Sequence, residues 1–373
     1  MIYDGHAYCA QDPSLGGGFE DPAEFDRFLQ LFMATSRQQP VWRKRDRMPG
    51  DATGLVDPAR PWDFDALREA GFRTAENGRV EWDVDGETYV KQALPPWIDH
   101  LTFTVDNLVA EMDYLGVDMS LLHRTPYMSK SNEFIADCVR AYPDRIQGLA
   151  YVEEWLLASD TDACIKKLQH AINDLGLHGY QFMPHHMDLY GVDWKWASPT
   201  FTPFWDALSE LGIPVFFTLY STNYAEYLEE LRTLGRWMER YPDVTVVQTH
   251  GFNWRMFADD EKLHVPDEVY DAAPIDNPNY HIQLLFAVFL QRRWDYPIPQ
   301  ILPTMEQMYR RIGPEKLIWG TDIPVSLLWW TYRQNLDFLR SYCDFIPQPD
   351  MDLILGGNMA RIMGVGTSEP QEA

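Results

Sequence analysis

Three short runs of this sequence hold titratable side chains at spacings that chemistry can use. The chain opens on Asp4-Gly5-His6-Ala7-Tyr8. In a strand alternate residues share a face, so Asp4, His6 and Tyr8 can point together. Further on, the apolar run Val244–Thr249 stops at His250-Gly251. A histidine there can act as general base or metal ligand, or bond a backbone carbonyl in a core. The third run is Trp319-Gly320-Thr321-Asp322-Ile323-Pro324. Its carboxylate can bind metal, accept a proton from water, orient His250, or cap a helix.

Other polar residues follow other apolar runs: His123-Arg124, Tyr151 with Glu153, His185-His186, and Thr218 with Tyr220. Arg124 can clamp a carboxylate in bidentate fashion or make a surface salt bridge. Adjacent residues of an extended chain face opposite ways, so one of His185 and His186 faces a pocket. Trp254 and several other tryptophans lie just past run ends and can form an aromatic wall or pack as core. Five of the chain's 10 histidines fall in this set, which favours a site over scattered packing histidines.

The elements that must position them alternate. Strand signals fall at Met1–His6, Val117–His123, Arg145–Tyr151, Leu177–Met183, Ile213–Leu219, Val244–Thr249, Tyr280–Phe286 and Lys316–Thr321. Most are short apolar runs rich in β-branched or aromatic residues, as strands buried on both faces are. Helical spacing marks Val105–Leu115, Asn132–Ala141, Asp160–Leu175, Phe201–Leu211, Asn223–Arg240 and Ile301–Ile312. Eight such repeats predict an α/β fold, a (β/α)8 TIM barrel, whose chemistry sits at the C-terminal ends of the strands. An open doubly wound sheet competes, but no glycine-rich loop follows the first strand. A long insertion after strand 1, about residues 10–101, is predicted to be partly helical with a hairpin near Val80–Tyr89. It could cap the barrel mouth or meet a partner subunit in a homodimer. A second, acidic insertion after strand 6, about 252–279, could form a lid. Residues 1–366 are read as a single domain and 367–373 as a flexible tail.

Composition narrows the partners. The 373 residues are 46% hydrophobic and carry a net charge of −25, which argues against binding nucleic acid or an anionic membrane surface. The apolar runs fall far short of the roughly 20 residues that span a bilayer. Cys9, Cys138, Cys164 and Cys343 form no CxxC pair, and free thiols suit the cytoplasm. A small-molecule substrate is the expected partner.

The motifs MIYDGHAY, VVQTHG, WGTDIP and LILGGNMARIMG, in that order, resemble the amidohydrolase-related family, the amidohydrolase-superfamily branch that includes aminocarboxymuconate semialdehyde decarboxylase. The resemblance covers nearly the whole chain apart from the two insertions. It implies a divalent metal, zinc or manganese, held by the strand-end set. Here Asp4, His6, His250 and Asp322 match the pattern, while Tyr8 and Thr218 stand where two histidine ligands belong. Tyr phenol is a poor ligand at neutral pH, so the metal site is expected to be altered or empty, with His250, His185 or His186 as recruits. The expected function is hydrolysis of a small cyclic or aromatic ester or lactone. His250 would be the general base, Asp322 its partner, and His6 and Tyr8 donors to an oxyanion. Tyr8, His123, Arg124, His185, Thr218, Tyr220 and Trp254 would bind substrate. Alternatives are a non-oxidative decarboxylase of an aromatic or muconate-type acid, with Arg124 holding a carboxylate, and a non-catalytic ligand-binding barrel.

Overall fold

All eight expected strands form, and each is buried along its whole length. In this computed structural model, which describes residues 1–35, 39–192, 195–285, 290 and 293–366, they are β1 (Tyr3–Ala7), β2 (Met119–Leu122), β3 (Ile146–Ala150), β4 (Gly179–Phe182), β5 (Val215–Phe217), β6 (Val246–Gln248), β7 (Tyr280–Leu284) and β8 (Leu317–Trp319). They pair in chain order and in parallel. The sheet closes where Ala7 bridges Ile323 and the Asp322 N–H donates to His6 O at 2.8 Å. The result is a (β/α)8 barrel. Phe286, at the end of the seventh predicted run, lies outside the described residues, as does the predicted tail 367–373.

The lower barrel is apolar. Tyr3, Leu121, Leu149, Phe216, Val247 and Ile318 pack against one another and against Met359 of the helix Asn358–Ile362. The lower end still holds the buried hydrogen bond from the Tyr3 hydroxyl to Gln147, while His6, His250 and Asp322 gather toward the opposite, C-terminal rim. Helices fill the returns and are stopped by local chemistry. Helix Val105–Leu115 begins with a capping box between Thr104 and Asn107 and ends at Gly116, whose φ of 70° lies in the left-handed region that glycine enters freely.

The first insertion holds more strand than the expected hairpin. Its described residues include the α-helix Pro22–Thr35 and an antiparallel sheet of five strands. In spatial order these are Pro49–Gly50, Val41–Arg43, Glu87–Gln92, Arg79–Val84 and Arg73–Ala75. The predicted hairpin is the pair Arg79–Val84 and Glu87–Gln92. Asp85 and Gly86 turn it with φ of 50° and 78°, the positive angles of a type I′ turn. The second insertion contains two short helices, Trp254–Phe257 and Asp267–Ala272.

Candidate active site

β1 lifts three polar side chains, one pleat apart, toward the rim. Asp4 is the deepest. Its carboxylate accepts from the Thr321 hydroxyl at 2.6 Å, the Tyr332 hydroxyl at 3.0 Å, and the backbone N–H groups of His6 and Thr321 at 3.1 Å. Burial pushes its pKa up to about 7, against those hydrogen bonds, which favour the ionised form. Asp4, expected as a metal ligand, is thus spent on joining β1 to the segment after β8.

His6 stands one pleat higher. Its Nε2 lies 2.9 Å from the Tyr8 hydroxyl and 3.3 Å from Asp322 Oδ1. Its Nδ1 lies 2.8 Å from Gln283 Oε1. Gln283, on β7, donates through Nε2 to Gly5 O at 2.8 Å and accepts the His250 N–H at 3.1 Å through Oε1. That oxygen is an acceptor, so His6 Nδ1 must donate to it, and Nε2 of the neutral ring is a lone pair.

His250 and Asp322 close the group. Both take the left-handed backbone region, with φ of 62° and 60°. Residues other than glycine keep that conformation where the surroundings enforce it, commonly at functional sites. His250 Nε2 is 3.7 Å from Asp322 Oδ1. Thr249 donates its hydroxyl to Phe217 O at 3.1 Å, so it meets His250 Nδ1, 3.4 Å away, as an acceptor. Both imidazoles therefore turn Nε2 toward one carboxylate oxygen. His6 Nε2, His250 Nε2 and Asp322 Oδ1 offer three ligand atoms within 4.8 Å of one another. Burial would raise the Asp322 pKa, but a proton taken up on a facing Nε2 of His250 or His6, acting as hydrogen bond and as positive charge, holds it well below the usual carboxylate range. Burial lowers His250, against the pull of Asp322. The site thus presents an ionised carboxylate beside a neutral imidazole. Two histidines and a carboxylate form an ordinary catalytic metal set, and Gln283 supplies the supporting hydrogen bond such a histidine needs.

A cavity of about 400 Å³ opens above this group, lined by Tyr8, His185, Thr218, Tyr220, His250, Trp254 and Asp322 among others. Trp254 donates its indole N–H to His250 O at 2.5 Å. Two expected contacts lie elsewhere. His123 is buried beneath His6, ring centres 3.6 Å apart and stacked, with Nε2 at 2.9 Å from Gly5 O. Burial, then the neighbouring His6, hold it well below the usual histidine range. The Arg124 guanidinium is fully buried and donates to the backbone carbonyls of Ser129, Ser131 and His123, so it does not line the cavity. Among the described residues, the arginine that does is Arg255, beside Trp254 in the second insertion. The sequence reading took the tryptophan and passed over its neighbour. It also passed over Gln283, which carries no titratable group to draw attention.

The family model described as Amidohydrolase matches residues 124–365. No curated protein sequence matches the chain. Among solved structures, a probable 2-pyrone-4,6-dicarboxylic acid hydrolase from Acinetobacter baumannii with citric acid bound is 18% identical, with a TM-score of 0.52 over 70% of this chain and 90% of its own. A dihydroxybenzoic acid decarboxylase from Polaromonas with bound manganese and 2-nitroresorcinol is 15% identical, with a TM-score of 0.50 over 70% of this chain and 86% of its own. An amidohydrolase from Burkholderia multivorans with bound zinc is 14% identical, with a TM-score of 0.53 over 70% and 89%. At these identities the likeness is one of fold. No helix among the described residues is long and apolar enough to cross a membrane.

Proposed function

The chain belongs to the amidohydrolase family, and from that premise we propose that it hydrolyses a small cyclic or aromatic ester or lactone carrying a carboxylate. The observation that carries this reading is the convergence of two Nε2 lone pairs and an ionised Asp322 at the floor of a cavity that Arg255 helps to line. Arg255 receives the substrate carboxylate as a charge-assisted, two-pronged donor. Tyr8, at the cavity edge, donates its one hydroxyl proton to His6 Nε2 at 2.9 Å in the resting site and turns it to the oxygen that gains charge as water adds to the carbonyl. The water's proton goes to His250 Nε2, and Asp322 stabilises the imidazolium that results. His6 is fully buried behind Tyr8 and Asp322 and supports this step through them as an acceptor, where the sequence led us to expect a donor to the oxyanion.

The same three atoms fit a divalent cation, and manganese and zinc are bound in two of the fold relatives. Two lone pairs aimed at a carboxylate oxygen 3.3 and 3.7 Å away are stabilised by a proton or a cation between them. When bound to His6, His250 and Asp322, such an ion supplies Lewis-acid polarisation.

The test is turnover of a panel of aryl esters, lactones and aryl carboxylic acids, with metal content measured before and after chelation. His250→Ala and Asp322→Asn should each lower hydrolysis by roughly 10²–10⁴-fold without unfolding the protein. Asparagine is chosen because it tolerates the left-handed backbone at that position. Hydrolysis that survives both changes sinks the assignment. Release of carbon dioxide without uptake of water would make the enzyme a decarboxylase, with the same residues delivering a proton to carbon.

A further inference from the structure

The barrel does not wall the cavity alone. Phe32, Thr35 and Trp62 come from the insertion between β1 and β2, which precedes the part of the chain matched by the family model. Phe32 lies face to face with Tyr127, ring centres 3.6 Å apart and planes inclined by 7°. Trp62 borders the cavity while 40% exposed, so packing alone does not explain so large a ring there.

The insertion is fixed in place. Its Phe19, Phe25, Phe28 and Phe64 share an apolar cluster with Tyr151 and Trp155, which follow β3. Tyr190, after β4, donates its hydroxyl to Glu24 at 2.8 Å. Two further atoms on the cavity point to a ligand independently of the aromatic wall. Thr125 Oγ1 and His185 Nδ1 are both buried with no hydrogen-bond partner among the described residues, and both residues line the cavity. Buried polar groups are nearly always paired, so orphaned ones on a cavity wall mark where a bound molecule completes them.

We propose that the insertion is a rigid specificity cap. Trp62 and Phe32 select a substrate built on a flat unsaturated ring, and Thr125 Oγ1 with His185 Nδ1 receives a hydroxyl or carbonyl substituent of that ring. This rests on the cavity being the substrate site and adds to the proposed reaction the shape and polarity of what enters. Stacking on an aromatic side chain favours a planar ring over a puckered one of the same size. The unpaired threonine and histidine favour the ring that brings a partner for them.

Binding, not turnover, tests this, so it can fail while the hydrolytic reading stands, and the reverse. Calorimetry on the full chain with benzoate, 3-hydroxybenzoate and cyclohexanecarboxylate should rank them hydroxybenzoate, benzoate, cyclohexanecarboxylate from tight to weak. Trp62→Ala should erase roughly three- to tenfold of the preference for benzoate over cyclohexanecarboxylate. Because Trp62 is partly exposed, the protein's melting temperature should hardly move. Thr125→Val, close in shape, should leave that preference intact and remove most of the preference for the hydroxylated ring. The proposal is overturned if the planar and puckered rings bind the native protein equally. It is also overturned if none of the three binds, or if Trp62→Ala weakens all three by one common factor.

Discussion

Gln283 has both ends of its amide committed, to Gly5 on one side and to His250 and His6 on the other. It therefore decides which nitrogen of His6 faces Tyr8 and Asp322. Gln283→Leu should lower turnover by roughly 10–100-fold, the usual cost of losing the partner that orients a ligand histidine. Adding imidazole should not rescue it, because the ring is still present and only its orientation is lost. A second buried pair makes a stability prediction. Burial pushes Glu154 up to about 8 and His186 down to about 3, with His186 Nδ1 3.5 Å from Glu154 Oε2. Glu154 holds a proton that the unfolded chain releases above its ordinary value of 4.5, so its contribution to stability falls as pH rises from there through 8. His186 acts oppositely: its contribution is complete above its ordinary 6.5 and is lost as pH falls toward 3. The slopes oppose each other between 4.5 and 6.5, Asp4 adds a decline of the same sign as the glutamate's up to about 7, and from 7 to 8 the glutamate's decline stands clear of both. Urea unfolding should show stability declining over that upper window by at most about 1.4 kcal/mol per pH unit. Glu154→Gln, which mimics the protonated acid, should flatten the decline.

At the scale of elements, strand ends made the centre of the site legible. His6, His250 and Asp322 each sit where an apolar run stops, and a parallel barrel gathers such ends on one rim. What the runs do not reveal is where each side chain points once the strand bends. Asp4 shares a face with His6 but lies one pleat deeper, and Arg124 turns back onto the loop carbonyls of Ser129 and Ser131. The helices Val105–Leu115 and Asn132–Ala141 fall where their periodicity places them. The insertion's sheet was illegible because several of its strands are two or three residues long, too short to show an alternating pattern. The turn after β6 offers a test of tight packing. Gly251 has φ of 83°, and a Cβ there would meet Trp254 at 2.0 Å. Gly251→Ala should displace the indole from its bond to His250 O. The expected readouts are a shifted tryptophan fluorescence, a lower melting temperature and weaker substrate binding, and an unchanged spectrum would refute that account.

For the molecule as a whole, the barrel and its cap are one packing problem. The cap covers Tyr151 and Trp155, two large aromatic rings on the rim. Replacing residues 10–101 with a short glycine-serine link would uncover that patch, and exposed apolar surface of this kind drives association. The expected product is an aggregating protein, seen by light scattering, not a soluble enzyme of broader specificity. A well-behaved, active deletion would mean that the cap contributes little to stability.

β1 is hydrogen-bonded to the segment after β8, through Tyr8 N–H to Ile323 O and Asp322 N–H to His6 O, both at 2.8 Å. β1 thus gains its second neighbour only when the segment after β8 is in place. Until then His6 lacks the Asp322 carboxylate, so a chain that stops short of residue 322 cannot assemble the site however well its early helices have formed.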